Sequence, residues 1–293
     1  MTYIVTALPC EAKPLIKVYN LKKLNSDLKW NLYGNDENIR LILTGTGAVS
    51  AASAVSALLA LEGCSGDDRI VNIGTCCAIG RNAPKPGEMY LINKITDGIT
   101  GRDFYPDMLC ESDIGEHALI SAAEPVKAGS VCDETDFMLY DMEAASVFQA
   151  AKYYLGPSKT AFIKFVSDNG IDGAGETDGK KAADFTRLAG EVENMIENAA
   201  NKLVKFTDAF SEGAAAAHST VFEGFEQLVS DFRATRTMEN SLRQLITYAG
   251  AAGIAYEGML SDYYSQGLLP AKSKKDGLAV LEMFSCAIRG EEG

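Results

Sequence analysis

Histidine is nearly missing: His117 and His218 are the only two. That leaves little for a Ser-His-Asp or Cys-His relay. Neither stands at ligand spacing from a second histidine or a cysteine, so no metal is expected. Cations are scarce as well, with Lys and Arg totalling 27 against 40 Asp and Glu, a formal charge of -13. So acidic a surface repels phosphate backbones and anionic lipid, so neither nucleic acid nor membrane is expected as a partner. The seven cysteines are Cys10, Cys64, Cys76, Cys77, Cys110, Cys132 and Cys286. They form no paired spacing pattern, and adjacent Cys76-Cys77 is wrong for a zinc CxxC, so a reducing, cytoplasmic setting is expected. The most apolar long stretch, 48–61, is too short for a membrane span and is diluted by Ser50, Ser53 and Ser56. No basic region precedes the apolar run 3–8, so a signal peptide is not expected. A GxxxxGK[ST] phosphate loop is also missing.

What is present is ordinary globular composition, 47% hydrophobic and 23% charged over 293 residues. At roughly 150 residues per domain, that length suggests two domains. Strand-like runs at 3–8, 39–44, 69–74, 88–95 and 159–166 alternate with helix-like runs at 48–61, 114–123, 143–155 and 180–206. Such alternation predicts an α/β domain with a largely parallel central sheet. Gly156-Pro157 stops one helix just before a strand. Beyond about residue 207 strand signals cease, and 219–232, 237–265 and 274–288 read as helices. The division is therefore 1–206 and a helical appendage, 207–293.

In an open α/β sheet, ligands bind beyond the carboxyl ends of the strands. Those ends carry Pro9-Cys10-Glu11, Thr44-Gly45-Thr46-Gly47, Gly74-Thr75-Cys76-Cys77 and Ser167-Asp168-Asn169, while Glu143 opens a helix. Gly45-x-Gly47-x-x-Ser50 lacks the third Gly or Ala of a dinucleotide fingerprint, and the next strand ends in Gly74-Thr75 rather than an acid for a ribose. What remains is a set of carboxylates, hydroxyls and amides. That set suits glycosidic cleavage, where positive charge develops on a sugar and acids serve as base and proton donor.

The joint order of Ala7-Leu8-Pro9-Cys10-Glu11-Ala12, Thr44-Gly45-Thr46-Gly47, Asn72-Ile73-Gly74-Thr75, Asp141-Met142-Glu143-Ala144-Ala145 and Val166-Ser167-Asp168-Asn169 resembles the nucleoside phosphorylase superfamily. Within it, the set looks most like the 5'-methylthioadenosine/S-adenosylhomocysteine nucleosidases. The resemblance implies a three-layer α/β domain with a mixed central sheet over about 1–205, plus a C-terminal helical extension outside the family. It assigns Glu11 to the attacking water and Asp168 to N7 of the leaving purine. Glu143 would bind the ribose hydroxyls, Met142 would pack on the sugar, Thr75 would border the water or anion subsite, and Ser167 would support Asp168. Phe137 is the nearest candidate for stacking on the base. Phe104 or Tyr105 would close a neighbour's pocket in a homo-oligomer, or simply pack the core. No cofactor is implied. The 170–179 stretch, with four glycines, suits a mobile cover or a plain surface loop. Superfamily phosphorylases often carry an Arg before the Gly-Ser of the third strand end, where Asn72-Ile73 stands here, which favours water over phosphate as the nucleophile. A phosphorylase and a non-catalytic nucleoside-binding module remain the alternatives.

Overall fold

The computed structural model describes residues 1–63, 68–108, 110–126, 136–170, 178–218, 224–251 and 254–289. The chain divides into two compact units, Met1–Gly213 and Ala214–Gly293.

In the first unit the strands are β1 (Thr2–Thr6), β2 (Lys22–Lys23), β3 (Asn31–Gly34), β4 (Ile39–Leu43), β5 (Arg69–Ile79), β6 (Met89–Asp97), β7 (Asp103–Phe104), β8 (Gly115–Ser121), β9 (Met138–Asp141) and β10 (Thr160–Asp168). The helices are α1 (Pro9–Val18), α2 (Ala48–Glu62), α3 (Ala144–Ala151), α4 (Asp178–Asn198) and α5 (Ala200–His218). All ten strands join one mixed sheet. β1 runs parallel to β4 and β5, and β5 runs parallel to β10. Antiparallel pairs join β10 to β6 and β5 to β9. The central strands β4, β1, β5 and β10 run parallel, as the alternation predicts, and the antiparallel pairs make the whole sheet mixed, as the resemblance implies.

Strand alternation separates two cores. Tyr3 and Val5 of β1 join Phe162 and Val166 of β10, Leu58 of α2 and Val147 of α3 on one face. Ile4, Ile163 and Phe165 point the other way and pack with Leu15 of α1, Ile196 of α4 and Phe206 of α5. Each large apolar side chain buried this way contributes ~1.5–3 kcal/mol. The result is helices on both faces of a sheet.

Strand β5 sets the geometry at the centre of the sheet. Its start pairs with β1, up to Val5 opposite Asn72, and its end pairs with β9, from Cys77 opposite Tyr140. Between Asn72 and Cys77 that edge changes partner, which opens the sheet at Gly74-Thr75. On the opposite edge β10 follows β5 from Ile70 to Cys77, with a register shift between Val166 and Asp168, placing Lys164 beside Gly74 and Asp168 beside Cys77. β5, β10, β6, β8 and β9 close on themselves as a ring.

Three expectations are corrected. Residues 114–123 form β8, not a helix, because pairing with β6 on one edge and β9 on the other satisfies their backbone and buries Leu119 and Ser121. The run 180–206 is two helices, α4 and α5, broken at Ala199. The run 237–265 is also two. In the second unit the helices are α6 (Phe225–Asp231), α7 (Arg236–Ala251), α8 (Glu257–Ser265) and α9 (Lys274–Arg289). That unit has its own core, centred on Phe284 with Phe232, Tyr256 and Tyr263 around it. Among the described residues this unit contains no strand, and none of the described helices is long and apolar enough to cross a membrane.

Candidate active site

The break in the sheet edge forms the floor of a cleft of about 170 Å3. Glu11, Thr75, Met142, Glu143, Ser167 and Asp168 all line it, together with Thr46, Cys77, Glu124, Tyr140 and Asp141. Six residues expected from the sequence are therefore brought to one place from separate strands, helices and turns.

Glu11 sits in the first turn of α1, which Pro9 opens at a position where no backbone N–H is needed. Its side chain is 1% exposed, yet the carboxylate is fully engaged. Oε2 accepts hydrogen bonds from the N–H groups of Ala7 and Leu8, both at 2.9 Å. Oε1 accepts from the Thr75 N–H at 2.7 Å and the Thr75 hydroxyl at 2.8 Å. The Thr75 N–H reaches Glu11 because that edge of β5 has no neighbouring strand there. Gly74 is needed for the same contact, since a Cβ on it would lie 3.2 Å from Oε1.

Glu143 occupies the N-cap position of α3 but makes no side-chain cap. Its Oε1 instead accepts the Gly47 N–H at 2.6 Å. The Gly45-Thr46-Gly47 turn that presents this N–H holds both glycines at positive φ, +78° and +91°, where other residues are strained. Burial pushes the Glu143 carboxyl above its ordinary range, and the Asp141 charge adds to that; Lys164 and the Gly47 N–H pull the other way.

Asp168 ends β10 with one oxygen accepting the Ser167 hydroxyl at 2.7 Å and the other the Gly170 N–H at 2.9 Å. Ser167 thus touches Asp168 directly, and its hydroxyl also lies 3.2 Å from the Cys76 carbonyl. Beside it, burial and the Asp168 charge push the Cys77 thiol up to about 12, so this thiol stays protonated.

Phe104 packs against the core, one of the two roles expected of it, stacking on Phe148 at 5.2 Å with the Lys152 ammonium over its ring. Phe137, just before β9, is not among the residues lining the cleft; it stacks on His117 of β8 at 4.2 Å and meets Tyr90 of β6 at 5.9 Å. His117 is therefore a packed ring rather than a cleft residue. Most of the expected cover, 171–177, lies outside the described residues.

Sequence reasoning missed a buried ion pair beneath the cleft. Lys164 of β10 forms a 2.8 Å ion pair with Asp141, with side chains 2% and 0% exposed. Burial alone would lower the lysine, but the charges of Asp141, Glu143 and Glu11 outweigh it and hold the ammonium above its ordinary value. A signal was available: a lysine inside the apolar run Ala161-Phe162-Ile163-Lys164-Phe165-Val166 is a buried charge that requires a partner.

Among the described lining residues, five are carboxylates (Glu11, Glu124, Asp141, Glu143 and Asp168) and none is cationic. A larger groove of about 430 Å3 lies in the second unit between α7 and α9. Its lining includes Leu245, Tyr248, Leu278 and Leu281 with a single carboxylate, Glu282, so the convergent chemistry belongs to the smaller cleft.

Solved structures share this fold. The 5'-methylthioadenosine/S-adenosylhomocysteine nucleosidase from Neisseria meningitidis, in complex with methylthio-immucillin-A, superposes with a TM-score of 0.51 at 16% identity, over 67% of this chain and 96% of that one. A putative nucleosidase of the same kind from Borrelia burgdorferi, bound to adenine, gives 0.54 at 18% identity, over 70% and 99%. The S. pneumoniae nucleosidase with a transition-state inhibitor gives 0.52 at 17%, over 73% and 99%. These matches take in nearly all of each neighbour and leave more than a quarter of this chain over. No protein-family model and no curated protein matches the sequence.

Proposed function

We propose that the chain is a purine nucleosidase, cleaving the N-glycosidic bond of methylthioadenosine- or S-adenosylhomocysteine-like nucleosides with water. The observation that carries the reading is the acidic cleft: carboxylates converge at a break in the sheet and no cationic side chain lines it among the described residues. A phosphate dianion would meet repulsion there, whereas a sugar gaining positive charge would be stabilised. This favours hydrolysis over phosphorolysis, and the shared fold of nucleosidases with bound analogues supports the substrate class.

In this reading the C1'–N9 bond breaks through an oxocarbenium-like state. Glu11 takes a proton from water as the water oxygen bonds to C1'. Asp168, which takes up a proton before the step, gives it to N7, so the purine leaves neutral and the sugar leaves with a hydroxyl. Glu143 holds the ribose hydroxyls, Met142 packs on the sugar, and Thr75 fixes Glu11 through two hydrogen bonds. Ser167 and the Gly170 N–H orient Asp168. A cytoplasmic homo-oligomer is the expected setting. In this reading Tyr105, 58% exposed, rather than the packed Phe104, would be the aromatic that reaches a second copy.

The test is Asp168→Asn. The Gly170 N–H still has an acceptor and the Ser167 hydroxyl still has the Cys76 carbonyl, so the fold is expected to survive. Adenine release, followed by chromatography, is expected to fall by ~10²–10⁴, the usual contribution of a placed general acid. Unchanged release in a folded variant would sink the role of Asp168.

A further inference from the structure

Glu143 stands where a helix cap belongs, yet its carboxylate reaches away from the helix to Gly47. The capping is done by others. Asp141 Oδ2 accepts the Ala144 N–H at 2.8 Å, and the Ser121 hydroxyl oxygen accepts the Ala145 N–H at 2.8 Å. Ser121 in turn donates to Asp141 Oδ1 at 2.6 Å. These orphan donors of the first turn of α3 are thereby satisfied without Glu143. Asp141 can do this as a buried anion only because Lys164 lies against the same Oδ2. Lys164 itself does not line the cleft.

We propose that Lys164 is a positioning residue of the sugar subsite: paired with Asp141 beneath the cleft, it keeps Asp141 as the cap of α3 and leaves the Glu143 carboxylate charged and turned toward Gly47 and the substrate. The proposal rests on the nucleosidase reading for what Glu143 binds, but not for the coupling itself. From the elements packed around it, Lys164 is faced by Asp141 of β9, Glu143 at the start of α3, Glu11 of α1 and the Cys76 thiol of β5. Without the ammonium, Asp141 and Glu143 are two like charges in one buried site, and one of them takes up a proton. Glu143 then loses its charge or swings inward to cap α3, and either change empties the sugar subsite of its anion.

The full chain is compared as wild type, Lys164→Met, Asp141→Asn and the double variant. Side-chain carboxyls of 13C-labelled glutamate are titrated by NMR, with Glu143 assigned from the spectrum of Glu143→Gln. KM and kcat are measured for a ribonucleoside and for its 2'-deoxy and 3'-deoxy counterparts. In Lys164→Met the Glu143 titration moves up, and the preference for the ribonucleoside falls ~10-fold or more, the usual effect of losing a charged hydrogen bond. In Asp141→Asn the titration moves down, because the ammonium is left facing Glu143. In the double variant both quantities return toward wild type. A fall in thermal stability with the Glu143 titration and the sugar preference unmoved would reduce Lys164 to a structural role and overturn the proposal. So would an upward shift that the double variant does not reverse. If Lys164→Met does not fold, the downward shift in Asp141→Asn and its reversal carry the test. If the wild type releases no base from any nucleoside, the functional reading fails separately and the NMR titration alone decides the coupling.

Discussion

The Glu143 carboxyl is pushed above its ordinary range by its surroundings. Burial and Asp141 raise its pKa, and Lys164 and the Gly47 N–H only partly relieve it. A carboxyl whose folded pKa is raised carries no penalty below the ordinary carboxyl range, where it is protonated folded or unfolded. The penalty grows as pH rises from that range toward its folded pKa, and is present in full above it. Glu143→Gln keeps an acceptor for the Gly47 N–H and removes that charge. Its melting temperature is therefore expected to exceed that of the wild type at neutral pH, with the gap closing as pH falls toward the ordinary carboxyl range. Base release is expected to drop ~10–100-fold, as charged hydrogen bonds are worth ~1.5–3 kcal/mol. Scanning calorimetry across pH beside a rate assay reads both; a variant less stable at neutral pH than at low pH, relative to wild type, would contradict the electrostatic account. At this scale the motifs that carry Glu11, Glu143 and Asp168 were legible, and the structure brings the three to one cleft. The position of Phe137 was not legible, since its ring packs on His117 and Tyr90, residues distant in the sequence.

At the level of elements, the site exists because β5 changes neighbours. Its first residues pair with β1 and its last with β9, and the gap releases the Thr75 N–H to Glu11. Gly74 sits in that gap, where a methyl group would lie 3.2 Å from Glu11 Oε1. Gly74→Ala is expected to displace the carboxylate by a few tenths of an ångström and to lower base release up to ~10²-fold, since small misplacements of a reacting group are costly. The melting temperature should change much less than activity; equal loss of both, tracked by circular dichroism and the rate assay, would mean that the glycine serves the fold alone. The helices α2 and α9 and strands β1, β4 and β5 were legible because each combines a clear period or apolar run with a turn signal. β8 was not, since its pattern admits either period and only its two neighbours make it a strand. The partner change itself has no local signature, because it depends on where β1 stops and β9 begins.

Across the molecule, every described cleft residue precedes the second unit, which begins at Ala214. The helical unit folds around Phe284, which is fully buried. Phe284→Ala is expected to destabilise that unit by ~3–5 kcal/mol and to leave kcat for base release within about a factor of two. Calorimetry should show a lowered transition for one unit beside an unchanged one; a collapse of kcat would tie the appendage to catalysis. The sequence pattern put the division at 206/207, inside α5, because only the loss of strand signals is visible along the chain; the compact units divide at Gly213 and Ala214. What the appendage recognises is not written in such a pattern, since its groove offers apolar contact and a single carboxylate rather than a convergent set.

Hydrolysis at the acidic cleft is tested by base release from methylthioadenosine, S-adenosylhomocysteine, adenosine, inosine, guanosine and 5'-deoxyadenosine, with and without phosphate. The acidic lining, free of cations among the described residues, predicts free base and free sugar in phosphate-free buffer, with no acceleration when phosphate is added. Release that requires phosphate and yields sugar 1-phosphate would contradict the hydrolytic reading.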